Sequence, residues 1–431
     1  MAIALCIVAT LAAALVAYHA ALAFRIWLHL RRIRKAGLPT SLDELNTWYP
    51  SPSDEPNAAP LYRRAFAWLA ETEGRGQGGD VSAEEHSSAT SQKERQFFLQ
   101  KQIDTCKEVD KLTKEGRIDE ATALLESDLD PEPQEGDVPA IEDAEFLKEQ
   151  EPLDGAQIEQ AARFLEDRHD ILGLLHEAAR IPYCRYTVDY TRDKAITFED
   201  MVLQEKRTGV EDAMRLYDGV RSGVKLFCLE AVVLAAKGQC ERAQDSVQAA
   251  IRLARSLDSL PMLMSHIVSA ASANTILDTV EYLNTVFGAK CVFSPALCAA
   301  VSLLGDEDAL RRAYIGERCF GLSCGFDPRG GWVLPGRRWL VAALAWAFRL
   351  AGLAKADKLR YLSKRNKQVE AAVLPVHLRT ARFEEIRSSL RKPPFWHRWS
   401  DTSSSDELLI CEVHVALLER VRRVQALISS G

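Results

Sequence analysis

Gly321-Leu322-Ser323-Cys324-Gly325 fits the G-x-S-x-G pattern of a nucleophile elbow, and Asp327, His377, His397 and His414 follow it in the order used by a hydrolase triad. The pattern works because a strained turn between a strand and a helix lifts the serine hydroxyl above a parallel sheet. Here Arg311 to Phe320 read as helix in a chain without parallel strands, so Ser323 is not predicted to be a nucleophile. Glu166-x-x-His169 has the spacing of carboxylate-bridged di-iron bundles, but such sites need a second pair and two further inward carboxylates. Only one pair is present. The ten cysteines contain no C-x-x-C; their closest spacings are C-x4-C and C-x6-C, so no zinc site is implied. Most lie among Val, Leu and Ala, where Cys acts as a small buried hydrophobe, and a cytosolic location predicts that they stay reduced. There is no Walker A loop, no G-x-G-x-x-G after a strand, no kinase loop set and no helix-turn-helix, zinc-finger or RNP motif. No catalytic, metal or cofactor-binding residue, no cofactor and no nucleic-acid partner is therefore assigned. If the chain is an enzyme with an unrecognised site in a helical core, Ser323, Asp327, His169, His176 and His266 are the residues to inspect.

The elements that would carry any such residue begin with an apolar helix. Ala2 to Phe24 holds no Asp, Glu, Lys or Arg, with His19 its one group that can be charged near neutral pH, and at about 1.5 Å rise per residue it is long enough for a hydrocarbon core of about 30 Å. Arg25, Arg31, Arg32, Arg34 and Lys35 continue the helical pattern, where a secretory signal would place a turn and a cleavage site. Residues 2–24 are thus expected to be an uncleaved single-pass anchor in a cell (inner) membrane. The basic residues after it predict a C-terminal body in the cytoplasm, with the periplasmic side as the alternative. Ala9, Ala13, Ala17 and Ala21 recur every four residues, a spacing that lets two helices approach in lipid and form a homodimer; the other reading of these alanines is filler.

Beyond the anchor the chain reads as helix after helix. Gly37 and Pro39 break the first helix, Ser41 and Glu44 form a capping box, and Asn57 can cap a helix with Leu61, Ala65 and Trp68 on one face. Residues 82–152 are charged and aromatic-poor, with a helical stretch near Lys93 to Leu125 and an acidic loop from Asp128 to Pro139. Ile158, Ala162, Leu165, His169, Leu172 and His176 fall on one stripe of a single helix, followed by a short β-like insert from Tyr183 to Tyr190. Helical patterns then cover Val210–Ala236, Glu241–Ser256, Pro261–Phe287, Glu307–Phe320, Trp339–Gly352, Asp357–Ser389 and Ser405–Ile428. The predicted fold is all-α, an irregular array of antiparallel helices divided as 1–36 (anchor and basic helix), 37–81 (linker and short helices), 82–152 (charged excursion) and 153–431 (main helical domain). Leu234 to Leu253, with Gly238 at the turn and Ala243, Val247 and Ala250 behind it, resembles the helix hairpin of a tetratricopeptide repeat. Leu112 to Leu125 echoes it, but no 34-residue period links the two, and an ordinary αα-hairpin explains the same residues.

Charge is unevenly spread. The net of −7 conceals +5 over residues 1–35, −23 over 36–310, +13 over 311–400 and −2 over 401–431. In Trp332 to Ala354 the uninterrupted apolar run, Trp339 to Phe348, is too short to span a bilayer. Its tryptophans and the flanking Arg337, Arg338, Arg349, Lys355 and Lys358 suit either an interfacial helix against anionic lipid or a core helix whose charges pair with the acidic middle.

Leu42-Asp43-Glu44-Leu45-Asn46-Thr47-Trp48-Tyr49-Pro50, Asn57-Ala58-Ala59-Pro60-Leu61-Tyr62-Arg63-Arg64-Ala65-Phe66, Arg252 to Leu257 and Pro261 to His266, in this order behind an anchor, resemble a group of bacterial single-pass membrane-anchored helical proteins of unknown function. The resemblance spans most of the chain and implies an anchor and a helical body, with no activity, cofactor or catalytic residue attached. Members of that group continue into a short strand-rich tail, while this chain stops at Gly431. The function expected is a membrane-anchored protein–protein interaction or scaffold module.

Overall fold

The described residues hold thirteen α-helices, two 3₁₀ turns, one π-helical turn and one isolated β-bridge, Asn57 to Tyr183, and the fold is all-α. The computed structural model describes residues 2–48, 56–76, 152–186, 188, 209–288, 291–305, 307–325, 352–390 and 404–430. Outside them lie the charged stretch near Lys93 to Leu125 with its repeat echo, the Asp128–Pro139 loop, Asp327, His397, and all of Trp339–Gly352 except its last residue. The chain forms two units, one of residues 1–70 with 144–431 and one of residues 71–143; all that follows concerns the first.

The apolar run and the basic residues after it form one unbroken helix, α1 (Ala2–Lys35), because no Gly or Pro interrupts them. Its stretch Ala12–Lys35 is long and apolar enough to cross a membrane. Gly37, at φ +70°, ends it. In the next turn, the Ser41 hydroxyl accepts from the Glu44 amide, as a capping box requires. The Glu44 carboxylate reaches past Ser41, however, and accepts from the Thr40 amide and hydroxyl and from Arg34. This ties α1 to α2 (Leu42–Trp48). In α3 (Ala59–Gly76) the buried face is Tyr62, Ala65, Phe66 and Leu69 rather than Leu61 and Trp68. Asn57 accepts from the Ala59 amide and also clamps the Arg185 backbone, which its side chain both donates to and accepts from.

The stripe Ile158 to His176 is two helices, α4 (Gly155–Glu166) and α5 (His169–Arg180). At the break the Arg168 amide bonds to Leu165 instead of Phe164, and the Arg168 guanidinium takes the freed Phe164 carbonyl while lying 3.6 Å over the Phe164 ring. His169 consequently starts a new helix and is solvent-exposed, whereas His176 faces inward.

The centre of the body is the hairpin α6 (Gly209–Ala236) and α7 (Cys240–Arg255). Gly238, at φ +73°, makes the turn: its amide bonds to the Ala235 carbonyl and the Gln239 amide to Leu234, the two bonds of a Schellman cap. Ala243, Val247 and Ala250 are all buried in the crossing, as the hairpin pattern predicts. Cys240 is disulfide-bonded to Cys291, with Cα atoms 5.3 Å apart. This corrects the expectation that the cysteines are reduced. Their separation of 51 residues carries no recognisable motif, and only the fold brings them together.

Against the hairpin pack α8 (Leu263–Phe287) and α9 (Pro295–Ser302), and α10 (Glu307–Phe320) packs on α8. Pro295 sits in the first turn of α9, where its missing N–H costs nothing, and Ser294 caps it. The expected helix Asp357–Ser389 is divided into α11 (Leu353–Ala371) and α12 (Val376–Leu390). Pro375 lacks the N–H that would continue the ladder, and the buried Arg379 donates to the Leu374 carbonyl left at the break. Helix α13 (Ser404–Ser430) returns along α8, where Arg420 bridges to Asp278 and Glu281. A core of Leu42, Leu310, Tyr314, Phe383, Ile386 and Ile410 joins α2, α10, α12 and α13.

Candidate functional site

Residues on three helices converge on one cleft. Helix α5 buries Leu172, Leu175 and Ala179 against the hairpin, which turns His176 toward α6. Glu230 stands in Phe227-Cys228-Leu229-Glu230-Ala231-Val232-Val233, an otherwise apolar stretch of α6. Ser246 lies one turn beyond Arg242 on α7. His176 Nε2 is 2.7 Å from Glu230 Oε2, and the Ser246 hydroxyl donates to the same oxygen at 2.7 Å. The Phe227 ring meets the imidazole edge-on at 4.9 Å. Arg252 donates to the Ala179 carbonyl at the C-terminal end of α5, a favourable place for a cation. The cleft has a volume of about 520 Å³ and is further lined by Arg180, Arg242, Glu177 and Asp245. It offers cations and carboxylates over a fixed hydrogen-bonded floor.

A carboxylate at Glu230 can only accept, so Nε2 is the nitrogen of His176 that donates to it, the arrangement of a carboxylate-oriented base. Nucleophilic catalysis additionally needs a hydroxyl or thiol bonded to that base. Ser246 bonds to the carboxylate instead, so the three residues form a network centred on Glu230 and not a nucleophile relay.

The residues singled out from sequence form no single site; among the described ones only His266 and His414 are in ring contact. Ser323 is half-buried in a π-helical turn, Gly321–Gly325, that continues α10. A Cβ on Gly321 would lie 2.0 Å from the Tyr361 hydroxyl, so that glycine serves the close approach of α11. His414 is buried, receives a hydrogen bond from Arg379, and meets His266 at a tilt of 54° with ring centres 4.9 Å apart. His169 Nδ1 lies 3.1 Å from the backbone carbonyl of Glu166, and its Nε2 pairs with Asp170. Among the described residues no group of three or more His, Cys, Asp or Glu is placed to hold a metal ion. Cys184, Cys228 and Cys319 are free thiols that burial pushes up to about 12, which makes them poor nucleophiles.

Of the cleft residues, only His176 was singled out by sequence. Glu230 carries a signal of its own, since a lone carboxylate in an apolar helical run must find a partner if it is buried. The partner's identity depends on how α5 packs, which the sequence pattern does not specify. Comparison with known protein families, curated proteins and solved structures found no match to this chain.

Proposed function

We propose that the chain is a membrane-anchored helical recognition module that binds a protein partner in the cleft between α5, α6 and α7. The observation that carries this reading is the combination of charges of both signs around the cleft with a His176–Glu230–Ser246 floor that lacks a base-bonded nucleophile. The large exposed apolar residues of the body, such as Met214, Val292, Val373 and Leu378, lie on separate elements, so the partner contact is polar and read through charge complementarity. Anchoring is by residues 2–24. The body lies on the cytosolic side, supported by the five cations after the apolar run; the Cys240–Cys291 disulfide is what the periplasmic alternative predicts.

Photo-crosslinking in cells tests the cleft. A benzophenone side chain at position 248, on the cleft wall, is expected to capture a discrete partner, and Arg180→Glu with Arg242→Glu to abolish the adduct. An adduct that survives both charge reversals, or one equally strong from position 422 on α13, overturns the reading. Reporter fusions at Gly37 and Gly431 test the cytosolic assignment directly.

The His176–Glu230 pair favours one second reading, an enzyme that uses His176 as a general base. It expects turnover of an ester or phosphoester probe that His176→Ala abolishes. Probe turnover unchanged in that variant removes it.

A further inference from the structure

The path of α11 beside α1 constrains how deep the body sits in the membrane. A Cβ on Gly352, just before α11, would lie 2.7 Å from the Tyr18 ring and 3.4 Å from the His19 ring. Ten residues further on, Leu362 is buried against Ile33, with Ile26, Leu30 and Tyr361 packed around them. Helix α11 therefore runs parallel to α1, from the level of Tyr18 to that of Ile33. The apolar run read as the anchor continues past Tyr18 to Phe24, with the first cation at Arg25. On that reading the bilayer boundary lies beyond Tyr18, and the start of α11 lies within the leaflet.

The residues at this level suit an interface. Phe24 and Trp27 are exposed and stacked, and Arg31 lies over the Trp27 ring at 5.0 Å. Aromatic rings beside cations are what the headgroup region selects. Arg25, Arg31 and Arg32 on α1 are exposed, and Lys355, Lys358 and Arg360 on α11 are half-exposed. Long Lys and Arg side chains on a helix that starts below the headgroups extend back up to them.

We propose that the first turns of α11 enter the membrane interface beside α1, and that Lys355, Lys358 and Arg360 join Arg25, Arg31 and Arg32 in a two-helix collar for the phosphates of anionic phospholipid. The body is then seated on the leaflet and not held off it by a tether. The inference rests on the anchor reading, and the experiment separates the two.

Full-length protein is reconstituted in vesicles of equal phosphatidylglycerol and phosphatidylcholine, with a benzophenone side chain at position 356 in the first turn of α11 or, for comparison, at position 373 beyond its far end. Position 356 is expected to form lipid adducts and position 373 none. The adducts favour phosphatidylglycerol about fivefold or more, the factor one well-placed cation supplies. With Lys355→Gln, Lys358→Gln and Arg360→Gln together, that preference falls about twofold or more, Arg25, Arg31 and Arg32 keeping the rest, while the adducts at 356 persist. Protein that resists carbonate extraction but forms no lipid adduct at 356 overturns the seating alone. Adducts without headgroup preference in the wild type overturn the collar. Protein released by carbonate overturns the anchor and the inference with it.

Discussion

Cys240→Ser opens a disulfide whose contribution follows from the length of chain it closes. The two cysteines are separated by 51 residues, and the chain-entropy relation for a loop of that size gives about 14 cal/mol/K, or about 4 kcal/mol at 25 °C. The native contacts at the site do not depend on the bond. Gln244 donates to the Val292 carbonyl and accepts from the Ser294 amide, so it stitches the same loop to α7 with two hydrogen bonds. The loss should therefore come from a freer unfolded chain, with the folded state little changed. At about 2.1 cal/mol/K of unfolding entropy per residue over a body of roughly 350 residues, 4 kcal/mol corresponds to a fall in Tm of about 5 °C. The assay is thermal unfolding by circular dichroism in detergent, with and without reductant. Oxidised wild type should melt about 5 °C above Cys240→Ser, reductant should bring wild type down to the variant, and the variant should ignore it. A difference below 1 °C, or a variant that still responds to reductant, refutes the reasoning.

Three further outcomes are expected. A Cβ on Gly316 would lie 1.5 Å from the Pro261 carbonyl oxygen, so Gly316→Ala must push α10 off the turn before α8; a loss of about 1–3 kcal/mol is expected in chemical unfolding. Burial raises the Glu44 carboxyl, but the Thr40 hydroxyl and amide and Arg34 outweigh it and leave it below its ordinary value of 4.5. The stability it contributes is therefore complete above pH 4.5 and lost as pH falls through the lowered native value, and Glu44→Gln should flatten the Tm profile over that range. If Ala9, Ala13, Ala17 and Ala21 form a dimer face, Ala13→Leu with Ala17→Leu abolishes the signal in a membrane self-association reporter, and an unchanged signal leaves these alanines as filler.

The sequence is most legible where local chemistry decides. Gly238 at a positive φ and the small residues behind it specify the α6–α7 hairpin, because only a glycine closes that turn cheaply and only small side chains allow that crossing. The break at Pro375 carries the same kind of local signal, a missing N–H, yet the helical pattern from Asp357 to Ser389 runs through it and conceals it. The break after Glu166 carries no such signal, since no Gly or Pro marks it; it depends on Arg168 turning back onto the Phe164 ring and carbonyl. That turn separates His169 from His176, which a continuous 3.6-residue period places on one face. The cleft was hidden for a related reason. Hydrophobic periodicity identifies buried faces, but it does not specify which faces meet across 54 residues to bring His176 to Glu230.

The exit of α1 is built to resist bending. Arg318, 1 % exposed, donates to the Pro39 carbonyl and to Asn366, and the Cys319 thiol donates to the same carbonyl. Trp48 donates to the Gly37 carbonyl, and Glu44 holds Arg34. A flexible tether would show Gly- or Pro-rich chain with few cross-links, whereas here the two residues most able to bend, Gly37 and Pro39, each have their carbonyl held by a side chain from another turn or helix. Burying the Arg318 guanidinium lowers its pKa through desolvation, a cost that the Pro39 carbonyl and Asn366 together offset. Bending the exit would strip that charge of a partner, so the orientation of α1 against α10 and α11 is fixed. A cleft built on α5, α6 and α7 of the same unit is then presented at one angle to the axis of α1, and a partner must approach along that direction.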